Sequence, residues 1–227
     1  MFHRMKFLLF SLTLLLSPAA TAQDKKILQV LFLGDPVQQG IVQAAAKELT
    51  GKANFQYPPP GSANDSGSAL ARIDQLLGDK PYDIIYFNFG IGDLFYKDPA
   101  SKEIRIMNKD AGGVRVSSPD QYEKNLDAIV QHLTGSKAKL IWGSTTPLNN
   151  GHLFDGDSEK EYNAIAARVM AKFKVPVLDL HAYAMAKFKS DEKQPPPDKY
   201  AAEMQKRGHP LHPPLVKAIL SVAEKPQ

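Results

Sequence analysis

Cysteine is missing altogether from this chain of 227 residues, and tryptophan occurs once. Without thiols, disulfides and thiolate-bound metals are excluded, so the folded state must rest on its packed core. Blocks of five or six like charges are also absent, and no nucleic-acid-binding motif occurs. The formal charge of +4 comes from scattered lysines and describes a solvated surface, not a nucleic-acid partner. No internal repeat is present. Only one stretch, close to the start, approaches the length of a membrane span.

That stretch has the layout of an export signal. Arg4 and Lys6 form a basic head, and Phe7 to Leu16 is apolar apart from Ser11 and Thr13. Pro18 ends any helix, and Ala20-Thr21-Ala22 supplies the small residues that signal peptidase requires. The expectation is a signal peptide over 1–22, a mature chain starting at Gln23, and a secreted or periplasmic protein with no membrane attachment after cleavage. An uncleaved anchor is the alternative, although the run is short for a bilayer. Loss of Arg4 and Lys6 lowers the formal charge by two. Residues 23–227 suit one domain with a sizeable core.

Strands and helices alternate through the rest. Ile27 to Leu33 is a run of β-formers closed by Gly34-Asp35-Pro36, and Ile41 to Leu49 has helical spacing. A short strand near Asn54 to Tyr57 precedes Pro58-Pro59-Pro60-Gly61, and Ala69 to Leu77 returns to helix. Tyr82 to Phe89 is the strongest strand pattern. Gly92 to Ser118 lacks periodicity, which in a segment of that length points to function or mobility. A helix from Ser118-Pro119-Asp120 to about His132 follows, then a strand over Ala138 to Trp142. Helix Glu159 to Phe173, strand Val175 to Leu178 and helix Pro213 to Val222 complete the chain. Lys189 to Tyr200, rich in proline and charge, is expected to be a surface loop. This alternation implies βαβ units and a parallel sheet covered on both faces. Ligands of such sheets bind beyond the carboxyl ends of the strands, which directs attention to 34–40, 58–65, 90–93 and 143–150.

The glycine-rich turn GDPVQQG matches neither the dinucleotide fingerprint nor the phosphate-binding loop, so no nucleotide cofactor is expected. His209 and His212, three apart, suit a shared metal, but the sequence offers no third ligand; no metal is expected. Asp35 is either a general base or nucleophile or, more simply, an acceptor for neighbouring backbone N–H groups. Asp93 after its glycine turn is a cap or turn residue before it is a catalyst. Asp65 and Ser66 have the character of helix N-caps. Ser144, Thr145 and Thr146 either bind a polar ligand or satisfy their own loop. His152 and His181 are surface or packing residues, and Trp142 is a core residue before it is a sugar-stacking platform.

Taken together, VLFLGDPVQQG, YFNFGIGDL and KRGHPLHPPLVKAIL resemble, in order and spacing, three sequence blocks of the SGNH or GDSL-type esterases and lipases. LIWGSTTPLNNG, EYNAIAARVM and VPVLDLHA are similar to the family's late strands and helices. The resemblance covers nearly the whole mature chain. It implies a three-layer α/β/α sandwich with a flavodoxin-like parallel sheet, and a histidine-assisted serine nucleophile. By position, however, Pro36 stands where the family has its serine, Lys206 where it has the carboxylate orienting the histidine, and Gly92 where it has the oxyanion asparagine. His209 alone remains of the triad, with Asp35 and Asp93 beside the altered positions. Proline lacks both the hydroxyl and the backbone N–H that the family uses. The resemblance therefore implies a degenerate hydrolase keeping a cleft for a small molecule or glycan, an acylated carbohydrate in particular. Asn64, Asn88, Gly90, Ser144 and Thr145 are its expected ligand contacts. Two alternatives are an ester hydrolase in which His209 and Asp35 or Asp93 activate water, and a structural or interaction domain. Oligomeric state is not legible.

Overall fold

β1 (Leu28–Gly34) forms because five of its seven residues carry apolar side chains and both of its faces are covered. Leu31 and Leu33 point into one hydrophobic core, Val30 and Phe32 into the other. The computed structural model describes residues 26–59, 64–148, 151–188 and 210–224. The expected signal 1–22, the loop 189–200, Lys206 and His209 lie outside the described residues.

The remaining elements, in chain order, are α1 (Pro36–Glu48), β2 (Ala53–Gln56), α2 (Ser66–Ala71), α3 (Ile73–Leu77), β3 (Ile84–Asn88) and α4 (Ile91–Leu94). They continue with β4 (Tyr96–Lys97), a 3₁₀ turn at Lys109–Ala111, β5 (Val114–Arg115), α5 (Pro119–Thr134) and β6 (Lys139–Gly143). The chain closes with α6 (Ser158–Lys172), β7 (Val177–Leu178), α7 (Leu180–Phe188) and α8 (His212–Glu224). The main sheet is parallel throughout, with strand order β2-β1-β3-β6-β7. Helices α2, α3, α5 and α6 cover one face, and α1, α7 and α8 the other. This is the three-layer sandwich that the sequence implied. Trp142 is fully buried on the first face, edge-on to Phe87 at 5.2 Å. Among the described residues no helix is long and apolar enough to cross a membrane.

Three details depart from the sequence expectations. The helix expected over Ala69 to Leu77 is two helices meeting at Arg72, whose φ of −126° breaks the spiral. The aperiodic segment after Gly92 contains α4 and a β4–β5 hairpin, with Tyr96 opposite Arg115 and Lys97 opposite Val114. An additional helix, α7, follows β7 directly; Asp179 caps it by accepting from the Ala182 N–H.

Candidate functional site

Gly34, Asn88 and Gly143 end three adjacent strands at one level, since Gly34 pairs with Asn88 and the Asn88 Nδ2 donates to the Gly143 carbonyl at 2.8 Å. The turns beyond them carry the residues that the sequence singled out. Pro36 occupies the first position of α1, where its fixed φ suits the helix and its missing N–H leaves no bond unmade. Asp35, the residue before it, sends its side chain across to the next turn. Its Oδ2 accepts from the Ile91 N–H at 3.0 Å and its Oδ1 from the Gly92 N–H at 3.2 Å. The carboxylate thus ties the turn after β1 to the turn after β3, so Pro36 and Gly92 share one end of the sheet. Burial pushes the Asp35 carboxyl well above its ordinary range, the charge of Asp93 adds to this, and the two N–H groups offset it only in part.

Asp93 is fully buried and fully employed. Its Oδ1 accepts from the hydroxyls of Ser66 and Ser117, and its Oδ2 from the Ser66 N–H at 3.0 Å. Ser66 in turn accepts from Asn125 of α5 at 2.9 Å. One carboxylate therefore joins α2, α4, α5 and the end of the hairpin segment. Burial raises its pKa to about 6 against the pull of these hydrogen bonds. Asp65 caps α2 by accepting from the Ser68 N–H, as its sequence context suggested.

Close packing fixes two glycines here. A Cβ on Gly90 would lie 2.0 Å from Thr145 Oγ1, and one on Gly92 would lie 1.8 Å from the Asn64 carbonyl oxygen. Asn64 is exposed beside this contact, whereas Asn88 is buried with its Oδ1 unpartnered. Ser144 donates to Asp179 at 3.2 Å and accepts from the His181 N–H at 3.0 Å. The Thr145 backbone is held at both ends by Asn163. The hydroxyls of Ser66, Ser117 and Ser144 are thus all bound to carboxylates, and none of the three is placed as an activated nucleophile.

Each described histidine lies beside a carboxylate. His181 sits at the carboxyl edge of β7, its Nε2 3.1 Å from Glu159, which is buried and keeps its second oxygen unpartnered. The sequence reading placed His181 on the surface or in packing and did not single out Glu159. Neither has a local signature, because residues 159 and 181 meet only where the first turns of α6 and α7, which cover opposite faces, come together beyond the end of the sheet. His212 bonds to Glu48, the last residue of α1 and thus at the other end of that helix from Pro36. His152 is exposed and pairs with Asp110. Among the described residues no group of three histidine or acidic side chains is placed to hold a metal ion.

The profile of the GDSL-like lipase/acylhydrolase family matches residues 40–214. Among solved structures, the chain is similar to a lipase/acylhydrolase from Enterococcus faecalis, with 14% identity and a TM-score of 0.62, covering 88% of this chain and 100% of that one. It is also similar to a catalytic mutant of an acetylxylan esterase from Geobacillus stearothermophilus, with 18% identity and a TM-score of 0.60 over 89% of this chain and 97% of that one. The acetyl xylan esterase AlAXEase gives 15% identity and a TM-score of 0.59, over 85% and 98%. No curated protein matches.

Proposed function

Since the chain belongs to the GDSL-like lipase/acylhydrolase family, we propose that it is a member without the family's ester-cleaving chemistry, retaining a cleft that binds an acylated carbohydrate outside the cytoplasm. The observation that carries this reading is Pro36. It stands at the head of α1, where the family resemblance places the nucleophile, with neither a hydroxyl nor an N–H to offer. Its surroundings agree. Asp35 occupies the Ile91 and Gly92 amides, and Gly92 has no side-chain amide to give an oxyanion. Loss of a single oxyanion donor costs about 2.7–4 kcal/mol of transition-state stabilisation, and loss of the nucleophile removes the covalent route. The carbohydrate is suggested by the family resemblance and by the acetyl xylan esterases among the similar structures.

The alternative, water activated by His209 with Asp35 or Asp93, draws little support from two carboxylates that are buried and already hydrogen-bonded. The test uses the 23–227 chain. The expected outcome is no hydrolysis of aryl acetates or acetylated xylo-oligosaccharides above the spontaneous rate, and no labelling by serine-directed phosphonates. Saturable, calorimetrically measured binding of the acetylated sugar should accompany this. Hydrolysis abolished by His209→Ala, or stoichiometric labelling of Ser144 or Ser66, would overturn the reading. An absence of binding would leave only the structural or interaction role.

A further inference from the structure

The opposite end of the sheet, where the strands begin, carries a cavity of about 680 Å³. Its wall includes the first residues of three strands, Leu28, Ile84 and Lys139, together with Leu220 and Ala223 of α8. Gly51, in the turn before β2, contributes no side chain and so leaves the cavity wide there. The volume lies within the 300–1,000 Å³ usual for small-molecule sites, and an apolar wall with a few charged groups is the usual lining.

The charges have a definite arrangement. Lys26 bonds to Asp83, which also accepts from the Gln29 N–H at 2.8 Å. Burial alone would raise the Asp83 carboxyl; the hydrogen bonds from Lys26 and Gln29 and the charges of Lys26 and Lys139 outweigh it and hold it below its ordinary value. Asp83 is therefore a neutralised structural group. Lys139 donates to the Val222 carbonyl at 3.0 Å, which holds its ammonium by the end of α8. Lys52 makes no ion pair among the described residues, and Glu224 is the one lining acid left unpaired there. Apolar wall and cationic rim together suit one kind of ligand.

We propose that this cavity binds an amphipathic carboxylate, its alkyl part against Leu28, Leu220 and Ala223 and its charge on Lys52 and Lys139. The site is separate from the family cleft, being at the other end of the strands, and it stands whether or not that cleft binds sugar. The probes are octanoate and octan-1-ol, titrated calorimetrically into the full mature chain. Octanoate should bind one-to-one and about tenfold more tightly than octanol, a margin of about 1.4 kcal/mol. Lys52→Glu, at an exposed position, should weaken octanoate about tenfold and leave octanol unchanged. Glu224→Gln should tighten octanoate, and Ala223→Trp, which fills the cavity, should remove both ligands. An absence of saturable octanoate binding would overturn the proposal. So would equal affinities for acid and alcohol, or octanoate binding unaffected by Lys52→Glu and Ala223→Trp.

Discussion

Pro36 and Gly92 differ in how freely they accept replacement, although the family resemblance treats both as lost catalytic positions. Pro36 opens a helix in a conformation that serine also adopts, so Pro36→Ser should fold normally. It should cost about 0.4–1 kcal/mol through the freer unfolded chain, measured by urea denaturation. Gly92→Asn is another matter, because its Cβ would start 1.8 Å from a backbone oxygen. Backbone cannot swing aside as a side-chain tip does, so the variant should lose about 3 kcal/mol or fail to fold. A Gly92→Asn protein as stable as the parent would show that the 64–65 backbone moves readily. This difference was not legible in the sequence, where both positions appear simply as substitutions in a motif. Asp35 was legible as an acceptor of backbone N–H groups. That its donors belong to residues 91 and 92, across the sheet, depends on the β1–β3 register and so on the finished fold.

At the scale of elements, apolar runs and helical spacings were readable, and helix breaks and isolated short pairings were not. The five strands of the main sheet and the larger helices follow from apolar runs and from spacings of three and four. The break at Arg72 escapes such reading, because one residue out of helical geometry leaves the spacing of Leu70, Ile73 and Leu76 intact. The β4–β5 hairpin escapes it too, since two residues per strand show no alternation. Its anchor lies far along the chain. Asp155 accepts from the Tyr96 hydroxyl at 2.6 Å, Lys109 at 2.7 Å and Arg115 at 3.4 Å. Chiefly through the Lys109 and Tyr96 hydrogen bonds, its pKa falls to about 2. Asp155→Ala should therefore loosen one element without unfolding the whole. Hydrogen exchange should accelerate at the Tyr96, Met107 and Val116 amides, while global stability falls by no more than about 1 kcal/mol, as for partly exposed ion pairs. Unchanged exchange at those three amides would mean that the hairpin is held by other contacts.

Two buried carboxylates, Asp35 and Asp93, tie the stability of the whole molecule to pH. Asp93 rises to about 6 and Asp35 is also raised well above its ordinary range, chiefly because burial disfavours their charged forms. The native state thus keeps protons that the unfolded chain releases near 3.8, and such stabilisation is complete below the unfolded value and lost as pH rises through the native one. Stability should fall between about pH 4 and pH 7, with Asp93 alone contributing on the order of 3 kcal/mol. Urea midpoints measured across that range should decline, and Asp93→Asn should flatten the slope. A midpoint that rises toward pH 7 would show that other groups dominate. The fold class was legible at this scale because alternation of strand and helix admits few architectures. The proton balance was not, because it depends on which acids end up without water.

The contact between Gly92 and the Asn64 carbonyl also bears on history. If the protein descends from an enzyme, reversion is not one step back along the path that led here. A chain regaining asparagine at 92 must first make room at 64, and movement there alone brings no catalytic return. Each single change is a loss that selection would remove before the other arrived. Drift away from hydrolysis would then run like a ratchet, with the tooth set in backbone.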